Sequence, residues 1–383
     1  MRICFALNSL RAGGAERVAA NLASEWARAG HEVSVITLAS ADVDFYRLDG
    51  RVERRDLCLM GESKGPLSAM VANGQRLRRL RQEFRAVRPD VIVSFIDTMN
   101  VLVLIAAAGL GAPVVVSERI DPRKYPLGAV WETLRRLTYR YASGLVVQTE
   151  SVAQWARGIA EQRHVIVIPN PISDTCIQIG RYAAKPRARR VVAVGRLVPQ
   201  KGFDTLISAF DQAAACHPDW SLVIAGQGPL DGALRAQALA TRCADRIEFA
   251  GLLQRPEELL GGSEMFVLSS RFEGFPNALV EGMACGCSVI ATDCPSGPAE
   301  ILTSGVDGVL VPVDDVDALA ASLAALMADD AARQRLSAAA VKSAERFRLD
   351  GIADRWIRLL RSVSAEATTS PSSRGSAAVG VER

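Results

Sequence analysis

The stretch that decides the fold is MFVLSSRFEGFPNALVEGMACG, residues 265–286. Its first six residues have the apolar character of a buried strand that ends at Ser270. Pro276 has a backbone φ angle suited to the first position of a helix, so a helix begins there or at Asn277. A buried strand, a short loop and a helix in this order are typical of a parallel sheet covered by helices.

The same alternation of strand and helix runs along the whole chain. Apolar, β-branched runs predict buried strands, at 2–9, 32–39, 91–96, 113–118, 144–149 and 164–170, and again at 191–197, 221–228, 246–251, 265–270, 288–293 and 308–312. Helical patterns separate these runs. Because 383 residues exceed one ordinary core, the pattern predicts an α/β protein with two doubly wound parallel-sheet domains facing each other across a cleft.

The domain boundaries follow from where this pattern stops and restarts. We predict a first domain over residues 1–172 and a second over residues 191–348. The polar, proline-containing segment 173–190 is predicted to be the linker between them. Residues 349–365 predict a closing helix that packs back on the first domain, and the small-residue, Ser-rich segment 366–383 predicts a disordered tail.

Composition and charge limit the classes of function. The chain is 49% hydrophobic and 23% charged, which excludes a largely disordered protein, and its net charge of +3 is too small to indicate a nucleic-acid partner. Residues 1–172 hold 23 basic and 17 acidic residues, hence +6, and the rest holds 22 and 25, hence −3. The basic pattern at 76–88 fits either a solvated helix face or peripheral contact with an anionic membrane.

Membrane spans and disulfides are not expected. The uncharged stretch 98–117 is long enough to span a bilayer, but Gly109, Gly111 and Pro113 interrupt it. It therefore predicts a buried helix, a turn and a buried strand. The eight cysteines are scattered and no signal peptide is visible, so reduced thiols and a cytoplasmic location are the expectation.

Candidate ligand-binding residues follow the predicted strands, since ligands of open parallel sheets bind at the carboxyl ends of the strands. Gly13 and Gly14 lie between the first strand and the first helix, where backbone can approach a ligand, although a plain tight turn explains them equally well. In the second domain, Gly195-Arg196 ends a strand and Lys201 precedes a helix. Arginine and lysine at this position suit a diphosphate, whereas the alternative is two ordinary surface cations.

The opening stretch supplies two carboxylates. Glu273 lies in the loop after the strand, and Glu281 lies just over one turn into the helix. Between them, the N–H groups from Phe275 to Leu279 are expected to lack helical partners. Carboxylates accept hydrogen bonds from vicinal diols, and free amides donate to sugar or phosphate oxygens. Helix capping explains each glutamate singly, but the combination favours a site for a sugar joined to a nucleotide.

These motifs resemble those of a known family. GGAERV (13–18), GRLVPQKG (195–202), AGQGP (225–229) and EGFPNALVEGMACG (273–286) occur in the order found in the retaining glycosyltransferases of family GT4, and Glu273 and Glu281 form its E-x7-E element. The resemblance covers roughly residues 1–360. SERIDPR (117–123) and DCPSGPAEIL (293–302) are similar to the subgroup of amylovoran-type and polyprenyl-linked N-acetylgalactosamine transferases.

The resemblance implies the GT-B fold, with two tandem Rossmann-like domains, and a role for each candidate residue. Arg196 and Lys201 would hold the donor diphosphate and Glu281 the ribose hydroxyls, while Glu273 would bind the transferred sugar. Glycines 13, 14 and 195 would line the donor site. The remaining donor contacts would come from Phe275, Pro276, Asn277, Ala278 and Leu279. For catalysis we single out Glu273, Arg196 and Lys201.

The implied reaction is transfer of a sugar from a nucleotide-sugar with retention of the anomeric configuration. The resemblance favours a UDP-linked over a GDP-linked donor. The implied acceptor is a saccharide on a polyprenyl diphosphate. No cofactor and no metal are expected. Many relatives carry a histidine where this chain reads Glu118-Arg119, so we take Glu118 and Arg119 as candidates for the acceptor side.

Two other classes of function remain as alternatives. An NAD(P)-dependent oxidoreductase would also have tandem nucleotide-binding domains, but the G-x-G-x-x-G fingerprint is absent. A non-catalytic subunit that binds sugar nucleotides would not need all four charged candidates. Two Asp-Val-Asp triplets, at 42–44 and 315–317, match a metal-binding pattern of some sugar transferases, but the second begins a helical run and is better explained as a cap.

Overall fold

The computed structural model describes residues 1–61, 65–161, 164–182 and 187–369. The first domain is built on a parallel sheet of seven strands, in the order β3-β2-β1-β4-β5-β6-β7. The strands are β1 (Arg2–Leu7), β2 (Glu32–Thr37), β3 (Glu53–Asp56), β4 (Val91–Phe95), β5 (Val114–Ser117), β6 (Gly144–Val147) and β7 (Val165–Val167). The central strands are buried on both faces, which is why they read as continuous apolar runs.

Helices cover both faces of this sheet. They are α1 (Gly14–Arg28), α2 (Pro66–Val87), α3 (Asp97–Ala107), α4 (Ala129–Tyr139) and α5 (Glu150–Ala156). The uncharged stretch 98–117 is indeed a helix, a turn and a strand, namely α3 and β5. No helix in the described ranges is both long and apolar enough to cross a bilayer.

The second domain repeats the architecture with a six-stranded parallel sheet, in the order β10-β9-β8-β11-β12-β13. Its strands are β8 (Ala188–Val194), β9 (Ser221–Ala225), β10 (Ile247–Gly251), β11 (Ser263–Leu268), β12 (Ser288–Thr292) and β13 (Val309–Val311). Its helices are α6 (Asp174–Tyr182), α7 (Phe203–Ala213), α8 (Asp231–Leu239), α9 (Pro256–Gly261), α10 (Asn277–Ala284), α11 (Pro298–Ile301), α12 (Val316–Ala328) and α13 (Asp330–Ala344). The predicted fold class is therefore confirmed.

The segment predicted as a linker differs in the structure. Residues 174–182 form α6, and Cys176 and Ile177 are buried in the core of the second domain. Strand β8 begins at Ala188, two residues before the predicted end of the linker. Two prolines and four arginines lie in and around this short helix, so the segment reads as polar and its helical pattern is not recognisable from the sequence.

The last helix, α14 (Leu349–Thr369), returns to the first domain. Its Trp356 packs in the first-domain core with Trp26 and Phe95, at ring-centroid distances of 6.2 and 5.7 Å. The two chain crossings between the domains are adjacent, since the Ile172 N–H donates to the Phe347 carbonyl at 2.9 Å. The predicted tail from residue 370 onward lies outside the described residues, whereas 366–369 belong to α14.

Candidate active site

The candidate site lies in the cleft where the carboxyl ends of the two sheets face each other. In the second domain, the strand order reverses between β8 and β11, which is the position where doubly wound sheets bind ligands. Gly195 and Arg196 follow β8, and Glu273 lies in the loop after β11. The described residues of this edge face α1 and the loop after β5 of the first domain.

Lys201 and Glu273 form an ion pair in this cleft. The Lys201 Nζ lies 2.5 Å from the Glu273 Oε1, which also accepts a hydrogen bond from the Ser270 hydroxyl at 2.6 Å. Both side chains are largely buried, with 16% and 6% of their surface exposed. Gly195 lies against the lysine stem, because a Cβ at this position would be 3.3 Å from the Lys201 Cδ. The structure thus brings together Lys201 and Glu273, two of the residues predicted for the site.

Glu281 is buried on α10, and its Oε1 accepts a hydrogen bond from Arg17 of α1, in the other domain. Burial raises the pKa of Glu281, whereas the charge of Arg17 opposes this rise. Sequence reasoning missed Arg17. It stands in the GGAERV motif, three residues after Gly14, and nothing in the sequence shows that its side chain reaches the second domain.

The start of α10 differs in detail from the prediction. The helix begins at Asn277, as expected. However, the Asn277 N–H donates to the Phe275 carbonyl at 2.9 Å and the Leu279 N–H to the Pro276 carbonyl at 3.0 Å. These two amides are therefore not free for a ligand, because the chain makes a tight turn there. Within the described residues, the amide of Ala278 has no such partner.

The side chains of Phe275 and Leu279 do not face the cleft. Both are buried in the core of the second domain, where the Phe275 ring lies edge-on to Phe347 at 5.8 Å. Gly274 lies so close to the first domain that a Cβ there would be 2.6 Å from the Ile120 Cα. The loop between β11 and α10 and the loop after β5 therefore touch.

Asn277 contacts the first domain through its side chain rather than its backbone. Its Oδ1 accepts from the Asn170 Nδ2 at 2.8 Å. The Asn277 Nδ2 lies next to Gly14, where a Cβ would be only 2.7 Å away, so a larger residue at position 14 would displace the Asn277 side chain. Gly13 adopts an extended backbone, with the Glu16 carboxylate folded over it.

Glu118 does not lie where an acceptor could touch it. It is 1% exposed and its Oε1 accepts from the Tyr139 hydroxyl at 2.5 Å, inside the first domain. Arg135 lies 3.6 Å from the same oxygen. Burial raises the pKa of Glu118 to about 7 despite this cation. The predicted acceptor role of Glu118 is not supported, because its carboxylate belongs to a buried network.

Arg119 does lie at the boundary between the domains. Its guanidinium stacks on Phe95 at 3.9 Å from the ring centroid and donates to the Asn170 Oδ1 at 2.7 Å. Burial lowers the pKa of Arg119 to about 9. Asn170 therefore links Arg119 to Asn277 across the cleft. Sequence reasoning missed Asn170, whose only signal is its position three residues after β7.

Arg196 is exposed, and its positive charge acts on Glu16 of the first domain. Burial raises the pKa of Glu16, and the charges of Arg196 and Arg119 are the main side-chain charges that oppose the rise. The cleft therefore contains cations from both domains around an acidic side chain of α1. Such an arrangement can bind an anion.

A second group of contacts joins the domains beside the cleft. Both carboxylate oxygens of Glu300 accept from backbone amides of the first domain, Glu150 N–H at 2.7 Å and Ser151 N–H at 3.0 Å. The Ser296 hydroxyl donates to the buried Asp121 Oδ2 at 2.7 Å. Arg123 donates to the hydroxyls of Ser151 and Ser296 at 2.8 and 3.1 Å. We call these residues the interdomain lock: Asp121, Arg123, Glu150, Ser151, Ser296 and Glu300.

The two Asp-Val-Asp triplets have structural partners. Asp315 caps α12 by accepting from the Ala318 N–H at 2.9 Å, as predicted. Asp44 pairs with Arg54 at 2.9 Å. In the part of the chain that the structure describes, no group of three His, Cys, Asp or Glu side chains is placed to hold a metal ion.

Two doubly wound parallel-sheet domains that face each other across a cleft are the architecture of the GT-B fold. Sequence models of two families match consecutive parts of the chain, "Glycosyltransferase Family 4" at residues 12–175 and "Glycosyl transferases group 1" at residues 178–343. The chain belongs to the group 1, family 4 glycosyltransferases. The oxidoreductase alternative is thereby excluded.

Similar proteins span nearly the whole chain. An α-1,4-N-acetyl-D-galactosaminyltransferase of Campylobacter jejuni that acts on an undecaprenol-diphosphate-linked saccharide is 26% identical over 95% of this chain and 99% of its own length. The amylovoran biosynthesis glycosyltransferase AmsD of Erwinia amylovora is 25% identical over 91% and 96%. Among solved structures, Anabaena HepE with UDP and glucose superposes with a TM-score of 0.74 at 19% identity, covering 94% and 99% of the two chains.

Proposed function

We propose that the chain transfers a sugar, with retention of anomeric configuration and without a metal, from a UDP-sugar to a saccharide carried on a polyprenyl diphosphate. The observation that carries the proposal is the Lys201–Glu273 pair, which lies at the same edge of the second sheet as exposed Arg196 and buried Glu281. Cations for a diphosphate and carboxylates for sugar and ribose hydroxyls thus stand on one edge.

The chemistry follows from these charges. Arg196 and Lys201 stabilise the diphosphate as it leaves, and Glu273 binds hydroxyls of the transferred sugar. The acceptor hydroxyl attacks the anomeric carbon on the face that the diphosphate leaves, and the departing phosphate oxygen takes its proton. Closure of the two domains excludes water. Arg119 is the residue of the first domain best placed to contact an anionic group near the acceptor.

Two similarities support the choice of substrates. The Campylobacter relative is named for an undecaprenol-linked acceptor, and HepE was solved with UDP. A lipid-linked acceptor requires the enzyme to work at a membrane surface. The exposed apolar residues Leu67, Met70 and Val71 on the first turns of α2 are consistent with peripheral contact there.

The test is donor turnover by the purified chain. We expect release of UDP from at least one of UDP-GalNAc, UDP-glucose and UDP-galactose, unchanged by EDTA. Proton NMR should show that the sugar first released keeps the α configuration of the donor. Release that requires added Mn²⁺ or gives the β anomer first would contradict the mechanism. No release from these donors or from GDP-mannose would favour the non-catalytic alternative.

A further inference from the structure

The ion pair between Arg17 and Glu281 joins the first domain to the residue proposed to bind ribose. Arg17 lies in the first turn of α1, and Glu281 lies on α10. The arginine side chain is 29% exposed and the glutamate side chain 8%. The pair exists only while the two domains are close together, because its members come from different domains.

Few charges act on Glu281. Among the described residues these are Arg17, which lowers its pKa, and Glu257 of α9, which raises it after the larger effect of burial. The thiols of Cys176 on α6 and Cys285 on α10 lie near the Arg17–Glu281 pair. The other described elements that pack on α10, namely β11, β12 and α13, place no charge near Glu281. Tyr46 lies beside Arg17 on the first-domain side. Arg17 is therefore the cation that compensates the buried carboxylate.

The contact occupies one of the two oxygens of the Glu281 carboxylate. Arg17 donates to Oε1, and no described residue donates to Oε2. An ionised carboxylate offers about four acceptor positions on its two oxygens. A hydroxyl of a vicinal diol can therefore donate to Oε2 while Arg17 donates to Oε1.

We propose that Arg17 is a positioning residue for the donor nucleotide. It keeps Glu281 ionised and oriented so that the carboxylate accepts hydrogen bonds from the ribose hydroxyls, and it does so only when the first domain has closed. This inference rests on the proposed function. It adds that the first domain completes the ribose site. Nucleotide binding therefore favours closure of the two domains.

The experiment measures UDP affinity by calorimetry at pH 6.0, 7.0 and 8.5, for the wild type, Arg17→Gln and Arg17→Lys. Arg28→Gln is the matched control, since Arg28 is also an ion-paired arginine of α1, bound to Glu25 and Asp49. Ratios to the wild type remove the titration of UDP itself. Without Arg17, protonation of Glu281 moves to higher pH. We therefore expect Arg17→Gln to weaken UDP binding roughly tenfold at pH 6.0, corresponding to about one pKa unit, and less at pH 8.5.

Arg17→Lys should restore most of the affinity and the wild-type pH profile, and Arg28→Gln should match the wild type throughout. A loss that is equal at all three pH values would show a merely structural role and overturn the inference. Tighter binding by Arg17→Gln would also overturn it, because Arg17 would then compete with ribose. If the wild type binds neither UDP nor GDP, the proposed function fails and this inference with it. Wild-type binding with unaltered variants refutes the inference alone.

Discussion

Lys201 and Arg196 are both proposed to bind the diphosphate, but Lys201 also forms an ion pair with buried Glu273. We expect Arg196→Ala and Lys201→Ala each to lose about 2–4 kcal/mol of transition-state stabilisation, because each removes a charged donor from the cleft. Only Lys201→Ala should also unfold at lower temperature, since it leaves a buried carboxylate without its cation. Steady-state kinetics and thermal unfolding measure the two effects. Exposed Arg242→Ala is the control, and wild-type turnover in both cleft variants would refute the proposed stabilisation of the diphosphate by Arg196 and Lys201.

The two glutamates of E-x7-E should separate in their effects. Glu281→Gln should weaken binding of free UDP, because the carboxylate holds the ribose. Glu273→Gln should leave UDP affinity nearly unchanged and reduce transfer, because it contacts the sugar. Titration calorimetry with UDP, beside kcat with the best donor, compares them. Equal losses of UDP affinity in the two variants would exclude this division of roles.

Glu118 should make stability depend on pH. Burial raises its pKa to about 7 in the folded state, from a usual value near 4.5, so the folded protein binds a proton that the unfolded chain has released. This contribution is fully present below pH 4.5 and is lost as the pH rises to about 7. Urea unfolding of Glu118→Gln should therefore show a relative gain of roughly 2–3 kcal/mol between pH 5 and pH 7.5. A constant difference between variant and wild type would contradict the assignment.

At the scale of elements, the buried strands were predictable because continuous apolar runs between turn residues have few other interpretations. The directions in which side chains and backbone amides point could not be predicted in the same way. Glu118 and Arg119 are neighbours after β5, yet one enters the core and the other reaches the cleft. Likewise, nothing in the letters FPNAL shows that two of its amides are used by a tight turn. The cleft residues from the second domain could be predicted because they follow strands of one sheet, whereas the contacts of Arg17 and Asn170 depend on how the domains meet.

Helix α2 offers a test of membrane contact. Arg81, which lies in the basic pattern 76–88, donates to the Ala106 and Ala108 carbonyls at the end of α3, so it is structural. The exposed arginines within α2 are Arg78, Arg79 and Arg85. Replacing these three with Glu should reduce sedimentation with phosphatidylglycerol vesicles at low salt, at about 1 kcal/mol per charge.

Donor binding should survive this triple change, since α2 lies outside the cleft. The matched control replaces three exposed arginines of the second domain, Arg235, Arg242 and Arg255, with Glu. If the control loses vesicle binding as strongly, net charge alone explains the effect. If the wild type stays in the supernatant at low salt, the helix face is only solvated.

At the scale of the whole molecule, the interdomain lock should control how far the cleft opens. Glu300→Ala removes both bonds to the amides of residues 150 and 151, while the adjacent crossings at Ile172 and Phe347 still join the domains. We expect small-angle scattering of the ligand-free variant to give a larger radius of gyration than the wild type. Exposed Glu248→Ala is the control. An unchanged radius would mean that other contacts hold the domains closed.

Helix α14 has a consequence for how a ribosome makes this protein. When residues 1–172 have emerged, all seven strands of the first sheet exist, but Trp26, Phe5 and Phe95 still lack Trp356 and the rest of the helix that packs on them. That apolar face stays uncovered while the entire second domain is synthesised. The half of the molecule that is translated first is therefore completed last, and nascent chains arrested before residue 349 are the form in which chaperone binding and aggregation should be greatest.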